Sequence, residues 1–180
     1  MKGIVFNLLE ALVVREHGED AWDELLDRAG VDGAYTTLGS YPDAELLGLV
    51  GAASELLGQP PADLVRWFGR ESIPAFADSH ASFFDAHDDT RSFLLTLTDM
   101  IHPEVRKLYP GADVPDFAYE TGSADVLVML YSSPRRLCAL AEGLIEGAAA
   151  HFDEAVEIGH PRCMHRGDEH CRLEIALSAR

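Results

Sequence analysis

Apolar residues recur with helical period from the start of the chain. Val5, Leu8, Leu9, Leu12 and Val13 share one face of a stretch over 4–16, and Gly18 ends it. A second, short helix is predicted over 20–29, with Trp22, Leu25, Leu26 and Ala29 on one side and Gly30 as its stop. Pro42 and Asp43 open a third, carrying Leu46, Leu47, Leu49, Val50, Ala53 and Leu57, which Gly58 and the Pro60 and Pro61 pair terminate. A fourth resumes over 62–68. From a cap at Asp88 or Asp89, an apolar run passes through Phe93, Leu94, Leu97 and Ile101 to His102 and Pro103, then Val105, Leu108 and Tyr109. A residue before proline is biased away from the helical region, so a kink or break is expected near His102.

Beyond Pro110, Gly111 and Pro115 the periodicity changes. Residues 117–120 and 126–131 read as strands, the second nearly all apolar, and a helix returns over 136–150. Two further strands, 155–162 and 171–177, flank a polar turn of Arg166, Gly167, Asp168 and Glu169. Helices first and a sheet afterwards predict an α+β fold. A mainly helical N-terminal part (1–60) precedes a part (61–180) with a small antiparallel sheet of about four strands crossed by one helix. The chain contains no internal repeat and no low-complexity tract, so 1–180 is read as one functional unit.

Charge narrows the choice of partners. Fourteen basic residues against thirty-one acidic ones give a net charge of -17, a field that repels nucleic-acid phosphates and anionic membrane surfaces. No stretch approaches the roughly 18 to 20 apolar residues that span a bilayer. The opening residues acquire Glu10, Arg15 and Glu16 without a cleavage site, and a cytoplasmic location is expected. Three cysteines in such a chain argue against a disulfide framework and leave metal ligation or free thiols.

Three sets of residues carry candidate chemistry. His102 closes a conspicuously apolar segment; such a histidine is either a metal ligand or a satisfied core residue. Tyr131, Ser133 and Arg135 lie at i, i+2 and i+4, so on extended backbone two hydroxyls and a guanidinium share a side, a donor row suited to carboxylates. The plainer alternative is a strand end with a turn at Pro134 and a solvated arginine. Cys138, His160, Cys163 and Cys171 supply three thiolates and one imidazole, the ligand set of a closed structural zinc site. Reduced thiols or a redox-formed disulfide are the alternatives, with His165 and His170 as spare ligands. Cys138 with His160 could imitate a nucleophile and base, but metal ligation explains all four residues where that pair explains two, so no enzyme is expected.

Several segments together resemble a known family. They are Met1-Lys2-Gly3-Ile4-Val5-Phe6-Asn7; Arg91-Ser92-Phe93-Leu94 through Ile101-His102-Pro103-Glu104-Val105; Lys107-Leu108-Tyr109-Pro110-Gly111-Ala112; and Tyr131-Ser132-Ser133-Pro134-Arg135. This pattern is similar to the bacterial haem nitric oxide/oxygen-binding domain, the family of the haem sensor of soluble guanylate cyclase. The resemblance implies haem b held between the two parts. His102 would be the proximal iron ligand, Tyr131, Ser133 and Arg135 would hold the propionates, and Pro115 would press on the ring.

Family members that bind oxygen stably carry a distal tyrosine nine residues after the clamp tyrosine, and that position here is Leu140. Leu9 and Pro74, the other positions expected to support such a donor, are equally apolar. A distal pocket of Val5, Leu9, Leu140 and Leu144 would exclude oxygen and admit nitric oxide and carbon monoxide. Release of His102 would carry the signal. With no output domain evident, the implied partner is a histidine kinase or a cyclic-di-nucleotide enzyme. The cysteine pattern also looks like the zinc site of some members. The main alternative is a haem-free module of the same fold that senses redox state through its cysteines.

Overall fold

Gly3–His17 forms α1 in the computed structural model, which describes residues 1–120 and 126–180. With α2 (Glu19–Ala29) and α3 (Asp43–Leu57) it encloses a core of Phe6, Leu12, Trp22, Leu25, Leu46 and Leu49. The predicted stops act as the physics requires. Gly30 and Gly58 close α2 and α3 at φ 68° and 64°, a left-handed conformation that strains any residue with a Cβ.

The next helix, α4 (Pro61–Ser79), is far longer than the expected 62–68. Gly69 and Pro74 read locally as breakers, but packing overrides them. A Cβ at Gly69 would lie 2.5 Å from the Leu140 carbonyl on α8 (Cys138–His151), so this glycine is a point of close helix contact. Gly143 and Gly147 of α8 make the reciprocal approach, against the carbonyls of Arg66 and Arg70. The carbonyl of Arg70 is the one that Pro74 deprives of its helical donor. Phe68 of α4 joins the first core, whereas Ile73 joins the second.

A short α5 (Ala81–Phe84), absent from the sequence reading, precedes α6 (Thr90–Leu95). The Asp89 carboxylate caps α6 by accepting from the Ser92 amide at 2.6 Å. One turn of π-helix, Leu97–Ile101, then leads directly into α7 (His102–Leu108). The expected irregularity is therefore present but displaced. His102 is helical, at φ -63° and ψ -38°, and the wide turn before it accommodates the missing N–H of Pro103.

The sheet completes the predicted α+β order. Its strands β1 (Asp116–Glu120), β2 (Val126–Ser132), β3 (Glu154–Arg162) and β4 (Cys171–Ala179) pair antiparallel in the order β1-β2-β4-β3. Leu127, Met129 and Tyr131 on β2 and Cys171, Leu173 and Ile175 on β4 alternate inward, and α8 covers that face with Ala141, Ile145 and Ala148. The helix begins at Cys138 instead of 136 because Arg136 sits at φ 51°, outside the helical region. Among the described residues, no helix is long and apolar enough to cross a membrane.

Candidate functional site

A cavity of about 440 Å³ lies between the helices and the sheet, within the size range of small-molecule and cofactor sites. His102, Pro115, Tyr131, Ser133, Arg135, Val5, Leu140 and Leu144 all contribute to its wall. Residues from Val5 to Leu144 are thereby brought to one space.

His102 enters from the start of α7 and stacks on Phe117 of β1, with ring centroids 5.4 Å apart. Burial and the nearby Arg106 hold its pKa down to about 4, against an opposing pull from Asp116, so the imidazole is neutral at ordinary pH. The Pro115 carbonyl also pulls the pKa upward, the weakest of these influences, and the neutral imidazole keeps one ring nitrogen bare as an acceptor.

The three donors at the cavity mouth do not all sit on a strand: only Tyr131 does. β2 ends at Ser132, and a turn closed by the Arg136 amide on the Ser133 carbonyl (3.1 Å) carries Ser133 and Arg135. Pro134 explains the correction: its fixed φ suits the second position of a turn and it has no N–H for a ladder. The Tyr131 hydroxyl accepts from the Leu137 amide at 3.0 Å, and burial raises its pKa. Accepting the amide bond leaves the phenol proton available to a carboxylate in the cavity. Arg135 is far from solvated. Its Nε donates to Asp43 Oδ2 at 2.7 Å, and its Nη1 meets Asp113 Oδ2 at 3.1 Å. Burial alone would raise the Asp43 carboxyl, but hydrogen bonds from the N-terminal ammonium and Arg135 outweigh it and hold the pKa below its usual value.

The apolar wall differs from the expectation at two positions. Leu9 is buried in the first core with Leu12 and Val13, while Ile4, Val5 and Leu8 form the α1 surface that meets the cavity. Pro74 is exposed on the outer side of α4. Phe68, Ser72, Ile73 and Phe76 of that helix line the cavity instead, a stripe the truncated reading of α4 missed. Ser72 brings a hydroxyl into the wall, but it donates to the Phe68 carbonyl of its own helix at 2.6 Å.

A second constellation lies behind Tyr131. The candidate ligand atoms of Cys138, His160, Cys163 and Cys171 all fall within 4.8 Å of one another. The sulfurs of Cys138 and Cys163 are 3.8 Å apart and those of Cys163 and Cys171 3.9 Å. These separations are far beyond a disulfide bond of about 2.05 Å. They match the roughly 3.8 Å that tetrahedral thiolates on zinc would show, given Zn–S bonds of about 2.3 Å. Burial, reinforced by the neighbouring thiols, raises the Cys138 pKa; burial likewise raises that of Cys171, although the Met164 amide donates to its sulfur at 3.3 Å. His160 Nε2 is buried without a hydrogen-bond partner, whereas its Nδ1 lies 2.6 Å from Glu142 Oε1. His165 instead bonds the Arg136 carbonyl, and neither it nor His170 belongs to the cluster. Glu142 was missed in the sequence, although it stands one helical turn after Cys138 on the same face of α8.

The sequence model of the Haem-NO-binding family matches residues 2–160. The chain belongs to that family. This Haem-NO-binding chain also shares its fold with solved structures of H-NOX proteins. It is 39% identical to an H-NOX protein from S. oneidensis in the Fe(II)NO ligation state, with 99% of each chain covered and a TM-score of 0.93. The SO2144 H-NOX domain from Shewanella oneidensis in the Fe(II)CO ligation state is 40% identical, with 99% of each chain covered and a TM-score of 0.90. The IWP-051-bound H-NOX from Shewanella woodyi, also in the Fe(II)CO state, is 32% identical over 98% of this chain and 94% of that one, with a TM-score of 0.84.

Proposed function

We propose that this chain is a bacterial, cytoplasmic haem-based gas sensor. It takes nitric oxide and carbon monoxide, excludes oxygen, and acts by signalling rather than catalysis. The observation that carries the reading is a neutral imidazole, His102, held in the wall of an apolar cavity whose mouth presents the donors Tyr131, Ser133 and Arg135. Those features fit haem b, which needs a neutral axial ligand, an apolar slot and hydrogen-bond donors for two carboxylates. The relatives solved with nitric oxide and carbon monoxide support the choice of ligands.

When bound, the haem would supply an iron centre able to take a diatomic gas, with the neutral imidazole of His102 as its protein ligand. The protein's residues translate gas binding. His102 is the first residue of α7, directly after the π turn Leu97–Ile101, so a displacement of His102 would be carried straight into that helix. Tyr131, Ser133 and Arg135 would hold the propionates, and Pro115 would bear on the ring. Val5, Leu140 and Leu144 offer no hydrogen bond, and the Ser72 proton is already engaged, so a polar ligand such as oxygen finds no donor in the distal wall. The readout passes to a histidine kinase or a cyclic-di-nucleotide enzyme.

We read the cysteine and histidine cluster as a structural zinc site. Four protein ligands leave no position for a reacting water. The buried, unpartnered Nε2 of His160 supports a ligand role.

The test is the ultraviolet-visible spectrum of the reduced protein, recorded anaerobically, in air and with nitric oxide. A five-coordinate spectrum that air leaves unchanged and nitric oxide converts is expected, and it should become imidazole-dependent in His102→Gly. A stable complex in air overturns oxygen exclusion. No haem after supplementation overturns the sensor and leaves the haem-free redox module.

A further inference from the structure

Glu142 is a buried carboxylate, and each of its oxygens has a designated partner. Oε1 lies 2.6 Å from His160 Nδ1, and Oε2 accepts from Arg66 Nη1 at 2.7 Å. A carboxylate is retained in such a place only when both charge and hydrogen bonds are met. A plain ion pair between Glu142 and a doubly protonated His160 would leave the second ring proton buried beside three sulfurs without an acceptor, because Nε2 has no hydrogen-bond partner. A neutral imidazole that gives its Nδ1 proton to Glu142 and leaves Nε2 bare has no such defect. That is the arrangement in which a carboxylate orients a metal-bound histidine.

We propose that Glu142 is the positioning residue of the Cys138, His160, Cys163 and Cys171 site, and that Arg66 tethers this carboxylate to α4. The inference rests on the zinc reading above. Glu142 fixes the tautomer and direction of His160, so that Nε2 faces the thiolates before any metal arrives. Three thiolates around zinc leave the centre with one net negative charge, and an adjacent bare carboxylate would repel it. Arg66 removes that conflict. Its guanidinium also reaches Glu146 at 2.6 Å, and its own helix lines the haem cavity with Phe68 and Ser72. The metal site is thereby linked through two side chains to the helix above the candidate gas pocket.

The experiment is a zinc titration of the full chain against a chromophoric chelator, with cobalt(II) spectra as a report of ligand geometry. Glu142→Gln is expected to weaken zinc binding by roughly 10- to 100-fold and to alter the cobalt(II) bands. Glu146→Gln, which shares Arg66 but does not touch His160, should leave affinity within about twofold, the scale of an indirect effect. In a His160→Cys background the Glu142→Gln loss should vanish, since no imidazole remains to be oriented. An unchanged affinity in Glu142→Gln, or an equal loss in the His160→Cys background, overturns the proposal. Should Glu142→Gln fail to fold, Glu142→Asp, which withdraws the carboxylate by one methylene, is read in the same cycle. If the wild-type chain binds no zinc, the metal reading falls and takes this inference with it. If it binds zinc and the variants behave alike, only the role of Glu142 is overturned.

Discussion

Tyr131 of β2 stands directly opposite Cys171 of β4 in the antiparallel register, and both are almost completely buried. The clamp at the cavity mouth and the metal cluster therefore each have one member on the same pair of adjacent strands. Cys138, another member of the cluster, follows by one residue the Leu137 amide that bonds the Tyr131 hydroxyl.

This sharing predicts a coupling between the two sites. Removing zinc with a chelator, or replacing Cys171 with Ser, should speed haem loss several-fold as the support behind Tyr131 loosens. The rate of haem transfer to excess apomyoglobin measures it. An unchanged rate would mean that the hairpin holds its register without metal.

Tyr131→Phe removes the acceptor of the Leu137 amide at the start of α8. An unmade bond of this kind costs about 1 kcal/mol. The urea midpoint of the haem-free protein should fall accordingly with no change in slope. A midpoint equal to wild type would show that water replaces the phenol.

Leu140→Tyr places a hydroxyl in the cavity wall, which Ser72 also lines with its own proton on the Phe68 carbonyl. The variant is expected to form an oxygen complex in air that wild type does not. Ser72→Ala should leave the response to air unaltered. A Leu140→Tyr protein that ignores oxygen would place the discrimination elsewhere in the pocket.

Close helix packing makes a fourth prediction. A Cβ at Gly143 would fall 1.9 Å from the Arg66 carbonyl, so Gly143→Ala must push α4 and α8 apart and should cost about 3 kcal/mol. Gly51 in α3 has nothing within 4 Å of the same position. Gly51→Ala should instead stabilise the helix by up to about 1 kcal/mol. Thermal unfolding of both variants checks the contrast, which a loss of similar size in each would contradict.

His102 imposes a pH dependence on the haem-free protein. Its pKa is lowered from 6.5 to about 4, so between those values the unfolded chain binds a proton that the folded chain refuses. His102 should therefore cost the fold nothing above pH 6.5 and destabilise it progressively as the pH falls toward 4. His102→Gly should flatten that part of the stability profile. Urea unfolding of the haem-free protein at several pH values measures the slope, and an identical profile in the variant would sink the attribution.

Much of this architecture was legible because it depends on local periodicity. The apolar spacing of Val5 to Val13, the glycine stops at Gly30 and Gly58, and the alternation along Val126 to Tyr131 are properties of short segments. So is the clustering of Cys163 and Cys171 on the two arms of one hairpin. The α4 boundary was not legible, because Gly69 and Pro74 weaken a helix in isolation, and what offsets them is the close packing of Gly69 and of the Arg66 and Arg70 carbonyls against α8.

The sequence by itself determined the order of helices and strands and the chemical types assembled: one histidine in an apolar run, a hydroxyl and guanidinium row, and three thiols with an imidazole. Tertiary structure alone decided which neighbours each of them meets. It turned Leu9 into the first core and Ser72 into the cavity wall. It gave Arg135 the carboxylates of Asp43 and Asp113, and placed Glu142 behind His160. Such contacts join residues 18 to 92 positions apart. They arise only when whole elements pack, because a side chain's exposure and partners depend on the orientation of its helix or strand against the others.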